Sequence, residues 1–255
     1  ITTEQIKELR DTTGISVMQC KRALEEAEGD MNKALAILKK TSSDIALKKV
    51  GREVKDGAVA IVSNDKKAVL VSLLCETDFV SRNEDFTNLL KKLTDDALNL
   101  GAKKVKTESK ELIDPVIQKT GENIQLGEIY EIVGDTIGTY VHNNKSGVIV
   151  SLDGGTSDLA RDIAMHITAM KPEYISEAEI TEDVRKTMNE IFEKEVANID
   201  KPADIKKKML EGKINTYFKE KTLMNQLFIK NPEETISKLL EKSGAKIKEV
   251  KRYLI

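Results

Sequence analysis

Ala68-Val69-Leu70-Val71-Ser72-Leu73-Leu74-Cys75-Glu76-Thr77-Asp78-Phe79-Val80-Ser81-Arg82-Asn83 is the stretch on which the fold turns. The strongly apolar run 68–74 reads as a buried strand. After Asn83, apolar residues fall at 86, 89, 90, 93 and 97, the spacing of one helix face. Residues 77–83 are therefore a strand-to-helix corner. Thr77 or Asp78 can cap a first short turn, and Asn83 can cap the longer helix. Phe79 and Val80 then fall at the rim of the sheet beside the acidic Asp78. Spacing alone leaves two fates open for the ring: a wedge offered to another protein, or packing on the following helix against Phe86. Packing is the commoner fate of an apolar residue.

The strand, corner and helix occur twice. Residues 57–66 read as a strand and turn, followed by strand 68–75, the Thr77-Asp78 corner and helix 84–100. Residues 138–145 repeat the strand and turn. Strand 148–152, then Thr156-Ser157-Asp158 and helix 159–170 complete the copy. Strands 126–133 and 245–254 are available to complete the two sheets, and a helix over 108–119, bent at Pro115, to cover the first. The fold class expected is α+β. Gly154-Gly155-Thr156-Ser157 lacks the lysine and spacing of a phosphate loop, so helix capping explains it better.

Three short helical patterns precede this core. Ile6 and Leu9 mark one that stops at Gly14; Ser16 and Asp30 cap the next two. Residues 41–55 are polar and of mixed charge and read as a linker. Two helical stripes, 180–199 and 205–218, face each other across Asp200-Lys201-Pro202-Ala203-Asp204, with Asp204 expected as a cap. Asn231-Pro232-Glu233-Glu234 is expected to open a last helix that ends at Gly244. The expected organisation is a three-helix module at 1–41, a linker at 42–55, and a first core half at 56–136. The second half takes 137–176 and 222–255, with a helical hairpin inserted at 177–221.

The residue pattern resembles the bacterial elongation factor Ts family, the nucleotide exchange factors of elongation factor Tu. The likeness rests on Thr77-Asp78-Phe79-Val80 with Arg82-Asn83, and on Leu9-Arg10, Thr13-Gly14 and 20–24 near the start. Gly121-Glu122-Asn123, His166 with 169–173, and Gln226 with Phe228 follow in the family's order. The resemblance implies a ubiquitin-associated-like first module and elongation factor Tu as partner. It implies that Thr77, Asp78, Phe79 and Val80 displace Mg²⁺ from that partner and open its phosphate loop. Thr120, Gly121 and His142 would touch the same partner, and Lys7, Arg10 and Met18 would hold it from the small module. The 177–221 hairpin would be available for self-association.

The totals narrow the alternatives. In 255 residues, 40% are apolar and 33% charged, with a net charge of −2. No strongly basic face is expected, so no direct nucleic-acid partner. No apolar run approaches the roughly 20 residues that span a bilayer, and Ile1-Thr2-Thr3-Glu4 does not read as a secretory signal. Cys20 and Cys75 lie far apart and suit a reducing cytoplasm. Neither they nor the two histidines, His142 and His166, have metal or nucleophile spacing, so no catalytic group, metal site or cofactor is expected. His166 reads as a packing residue and His142 as a hairpin-end residue. Two rival readings remain: a peptide-binding adaptor built on the first module, and an enzyme whose site would need a pocket with converging polar groups. A deletion of residues 1–50 would separate the adaptor from the exchange factor, which would keep weakened activity.

Overall fold

A computed structural model describes residues 1–255. The chain falls into two compact units, Ile1–Gly134 with Thr139–Ile149 and Lys251–Ile255, and Asp135–Gly138 with Val150–Val250.

The first unit opens with α1 (Thr3–Thr13), α2 (Val17–Glu26) and α3 (Met31–Lys49). Each begins at a residue whose side-chain oxygen accepts from the first-turn amides: Thr2 from Gln5 N, Ser16 from Gln19 N, and Asp30 from Asn32 N and Lys33 N. Gly14 closes α1 at φ 64°, a conformation that a side chain would strain. Leu9, Ile15, Cys20, Ala23, Leu24, Ala27, Ala34 and Leu38 make the small core.

The linker expected from residue 42 begins later. Helix α3 continues to Lys49 because its last turns have a packing partner. Ser42 Oγ is bonded to the Gln118 side chain, Ser43 Oγ donates to Asp114 Oδ2 at 2.6 Å, and Ala46 is buried in the adjacent core. The polar composition that suggested a linker is thus a polar helix–helix contact with α6 (Ala102–Thr120). That helix also starts before the expected residue 108, and it runs through Pro115, which costs it one backbone bond without ending it.

Strands β1 (Asp56–Ser63), β2 (Lys67–Cys75) and β3 (Ile124–Val133) form an antiparallel sheet with β2 in the centre. Asp56 pairs with Cys75 and Ser63 with Ala68. Lys67 pairs with Val133 and Cys75 with Ile124, with a register shift between Val71 and Leu73. Apart from Lys67 and Ser72 the central strand is apolar, and all of it but Lys67 and Leu74 is buried. Helix α5 (Glu84–Leu100) lays Phe86, Leu89, Leu90, Leu93 and Ala97 on the sheet.

Strands β4 (Thr136–His142), β5 (Ser146–Asp153) and β8 (Lys246–Leu254) repeat the order, again with the second strand central. Helix α7 (Ser157–Met170) follows β5. The two corners share one cap geometry: Thr77 has φ −131° and ψ 159°, Thr156 has φ −129° and ψ 158°, and each accepts from the amide three residues on. The glycine pair before Thr156 therefore serves a turn and a cap.

Within the second unit, α8 (Glu182–Ala197) and α9 (Ala203–Lys221) form the antiparallel hairpin, with Phe192 edge-on to Tyr217 at 5.6 Å. Pro202, not Asp204, stands at the cap of α9, and Asp204 lies inside the first turn. Pro is suited to a helix start because its missing amide would have had no partner there. The last helix also begins later than expected. Asn231–Thr235 is strand β7, paired with β6 (Leu227–Phe228), and α10 (Ile236–Lys242) is capped by Thr235, whose Oγ1 accepts from Lys238 N at 3.3 Å. Pro232 is tolerated because this two-stranded ribbon is all edge.

Candidate functional site

At the end of β2 the chain makes one turn of helix, α4 (Asp78–Ser81), and restarts at Asn83, whose Oδ1 accepts from Asp85 N at 2.9 Å. The interruption decides where each side chain goes. Val80 and Ser81 turn inward and are buried. Phe79 turns outward and is 83% exposed, whereas Phe86, one helix later, is 0% exposed. The packing of Phe79 on Phe86 that spacing allowed does not occur. Val80 is buried and anchors the turn from which the Phe79 ring projects. Asp78 is half-exposed and forms an ion pair with Arg82 at 3.3 Å.

Thr77 is fixed from two sides. Its Oγ1 accepts from Val80 N at 3.5 Å and donates to Glu122 Oε1 at 2.6 Å. The other oxygen of Glu122 accepts from Thr77 N at 3.0 Å and Glu76 N at 3.2 Å. Cys75 Sγ donates to Thr77 O at 3.2 Å. Burial, with the charges of Asp56 and Glu122 adding to it, pushes the Cys75 thiol up to about 12.

Gly121 ends α6 at φ 79°, and its amide donates to Ile117 O at 2.9 Å. Its carbonyl accepts from Lys49 Nζ. Thr120 is half-buried and spends its hydroxyl on Val116 O at 2.8 Å. The Glu122 bonds therefore join the Thr120-Gly121 turn to the Thr77 corner.

His142 is exposed at a tight turn whose central residues, Asn143 and Asn144, have φ 49° and 56°. Two left-handed asparagines suit a two-residue hairpin turn. This turn is fastened to the first sheet: Val59 N donates to Asn144 O at 2.8 Å. Lys145 Nζ donates to Asp56 Oδ1, to Gly57 O at 2.6 Å and to Ser81 Oγ at 3.3 Å. Ser81 belongs to α4, so the ammonium ties the His142 turn to the Phe79 corner. Lys7, Arg10 and Met18 stand exposed on α1 and α2, Met18 at 59%.

A family model described as Elongation factor TS matches residues 76–255, well over half of the chain. The chain belongs to the elongation factor Ts family. Elongation factor Ts of Hahella chejuensis is 39% identical over 260 residues, spanning 99% of this chain and 91% of that protein. Elongation factor Ts of Thioalkalivibrio sulfidiphilus is 37% identical over 267 residues, spanning 99% and 91%. That of Alcanivorax borkumensis is 36% identical over 263 residues, spanning 98% and 92%. Membership makes the chain a translation elongation factor of protein biosynthesis.

Other features of the chain bear on the rival readings. A cavity of about 910 Å³ lies in the second unit and is lined by Ile175, Glu179, Met224, Leu240, Glu241 and Ile247 among others. Glu179 there accepts from Ile175 N at 2.9 Å, closing a local turn. No three His, Cys, Asp or Glu side chains gather as a metal site requires, and no helix is long and apolar enough to cross a membrane. His166, 0% exposed, lies between Gln226 Oε1 at 2.9 Å from Nε2 and Ile229 N at 3.3 Å from Nδ1. Two clamps escaped the sequence reading. Glu122 stood in the family-like run Gly121-Glu122-Asn123, but nothing local marked a role for it. Lys145 had none.

Proposed function

We propose that this chain binds elongation factor Tu carrying GDP and speeds GDP release without covalent chemistry. The observation that carries the reading is the Phe79 ring, bare on a corner whose backbone is pinned on both sides. Leaving an aromatic side chain in water wastes apolar burial worth about 1.5–3 kcal/mol, so it is kept for a surface that covers it. The ring enters the partner beside the Asp78 carboxylate and moves groups that hold Mg²⁺. A nucleoside diphosphate without its metal has poorly compensated charge, and it leaves. Binding is reciprocal: the factor by which this chain weakens GDP is the factor by which GDP weakens this chain.

Gly121, Thr120 and His142 extend the same contact, and Lys7, Arg10 and Met18 hold the partner from the small module. In this reading residues 1–41 form that module, and the last turns of α3 serve the core, so the flexible link shortens to the residues after Lys49. The α8–α9 hairpin serves self-association. The adaptor reading leaves the pinned Phe79 corner without a use. The test is the rate of release of a fluorescent GDP from elongation factor Tu with and without the chain. Acceleration that depends on Phe79 supports the reading; an unchanged rate in the presence of the intact chain overturns it.

A further inference from the structure

The strand ladder between β2 and β3 stops at the pair Cys75–Ile124. Beyond it the two chains would part, because Glu76 and Thr77 have no strand opposite them. Two carboxylates continue the ladder instead. Glu122 reaches back to the amides of Glu76 and Thr77, at 3.2 and 3.0 Å, and Glu76 Oε1 accepts from Asn123 N at 2.6 Å. The Glu76 carboxylate also meets Arg52 at 3.5 Å, and Asn123 Nδ2 donates to Arg52 O at 2.7 Å. Each segment thus lends a carboxylate to the other's backbone.

One further bond gives Glu122 a distinct position. Its Oε1 takes the Thr77 hydroxyl proton at 2.6 Å. A hydroxyl that donates to a carboxylate has its lone pairs free for an acceptor role, and here one faces Val80 N. The direction in which α4 leaves the sheet, and with it the exit vector of Phe79, follows from where Thr77 is held.

We propose that Glu122 is a positioning residue for nucleotide exchange: it never touches the nucleotide, and it sets the aim of the Asp78-Phe79 corner. The inference rests on the exchange reading above. Without Glu122 the corner keeps Asn83, Val80 and Ser81 as anchors, so the chain still folds and still docks. It loses the fixed starting point of α4, and the ring arrives misaligned.

The test measures fluorescent GDP release from elongation factor Tu over a range of chain concentrations, for the parent, Glu122→Ala, Glu122→Gln, Glu122→Asp, Phe79→Ala and the Glu122→Ala/Phe79→Ala double variant. Glu122→Ala lowers the saturating release rate on the order of tenfold, with a much smaller change in the half-saturating concentration. Glu122→Gln recovers most of the rate, since its carbonyl can face the two amides and its NH₂ the Thr77 oxygen. Glu122→Asp, one methylene shorter, does not. The double variant is no slower than Phe79→Ala, because the first residue acts only through the second. A parental saturating rate in Glu122→Ala, or a further loss on top of Phe79→Ala, overturns the proposal. Should Glu122→Ala fail to fold by circular dichroism, the Gln and Asp variants decide, and Asp matching Gln overturns it. An intact chain that does not accelerate release sinks the exchange reading and this inference together. An active parent with an indifferent Glu122 sinks the inference alone.

Discussion

Thr77 and Glu122 are joined by two hydrogen bonds, hydroxyl to Oε1 at 2.6 Å and amide to Oε2 at 3.0 Å, across 45 residues of sequence. A bidentate grip of this kind fixes orientation as well as distance. It is placed where the regular ladder has run out and the chain is about to present its most exposed aromatic ring. Removing a buried or half-buried acceptor leaves its donors unpaired, at about 1–3 kcal/mol, so the corner stays in its one arrangement when solvent competes.

Phe79 and Phe86 are predicted to separate function from stability. Phe79→Ala removes a ring that touches little of its own chain, so thermal or urea unfolding changes by no more than about 0.5 kcal/mol. GDP release from the partner slows. Phe86→Ala empties a fully buried site and costs about 3–5 kcal/mol. Equilibrium unfolding beside exchange kinetics checks both. A large stability loss in Phe79→Ala would mean that the ring is covered in solution.

Much of this was legible because it is local. The apolar run of β2, the Asn83 cap and the matched Thr77 and Thr156 corners each need only a few neighbouring residues to be read. The direction of Phe79 was not legible. Periodicity locates a helix face but cannot say that a four-residue turn will break before Asn83 and send one ring outward. The tail of α3 was misread for a related reason: Ser42 and Ser43 look like linker until Gln118 and Asp114 are opposite them. The start of α10 was misplaced because Asn231-Pro232 has the chemistry of a helix start, and only pairing with β6 shows it as strand. The clamps of Glu122 and Lys145 act over dozens of residues and leave no periodic trace.

The α3 result changes one experiment. Deleting residues 1–50 would also strip the cover from α6, so loss of binding would not separate the adaptor from the exchange factor. Substituting Lys7, Arg10 and Met18 together by Ala leaves the α1–α3 core intact, since all three are exposed. The expected result is weaker partner binding with a saturating GDP release rate close to the parent's. Calorimetry and release kinetics on the same variant check it; an unchanged affinity removes these residues from the contact.

Lys145 is predicted to matter more at neutral pH than in acid. Burial raises the Asp56 carboxyl, but the hydrogen bonds from Lys145, Ser81 and Gly57 N outweigh it and hold the group below its ordinary 3.8. A carboxyl lowered in the fold adds stability above its unfolded value, and that stability drains away as pH falls through 3.8 towards the folded value. Lys145→Met removes the ammonium, costing about 1–3 kcal/mol near pH 7, and the gap from the parent narrows below pH 4. Urea unfolding at pH 7 and pH 3 measures this. The same variant loosens the His142 turn, so exchange falls more than stability alone accounts for.

The Cys75 thiol is predicted to be inert in the folded chain. It is fully buried and its titration is pushed up to about 12, so almost none is thiolate at pH 8, and only the thiolate reacts. A disulfide reagent at pH 8 should therefore label Cys75 no faster than the chain unfolds, with the rate levelling off as reagent is raised. Labelling that outruns unfolding would place the sulfur in reach of solvent.

His166 supplies the acid limit of the second unit. The backbone amide of Ile229 can only donate, so Nδ1 is the acceptor and Nε2 carries the proton given to Gln226 Oε1. Nδ1 has no room for the added proton: charging the ring would set a second N–H against the Ile229 amide. Burial lowers the His166 pKa, and the Gln226 bond opposes this in part. A histidine lowered in the fold stabilises it above the unfolded value of 6.5, and that contribution is lost as pH falls from there towards the folded value. Unfolding free energy should therefore decline below pH 6.5 in the parent. In His166→Gln, which has no titrating ring, that part of the decline should be missing, although the variant is less stable throughout. Gln226→Leu removes the bond that opposes the lowering, so its acid decline should run further, and it leaves Nε2–H unpaired at a cost of about 1–3 kcal/mol at pH 7. Parent and His166→Gln declining in parallel between pH 6.5 and 5 would show that the ring does not titrate with unfolding.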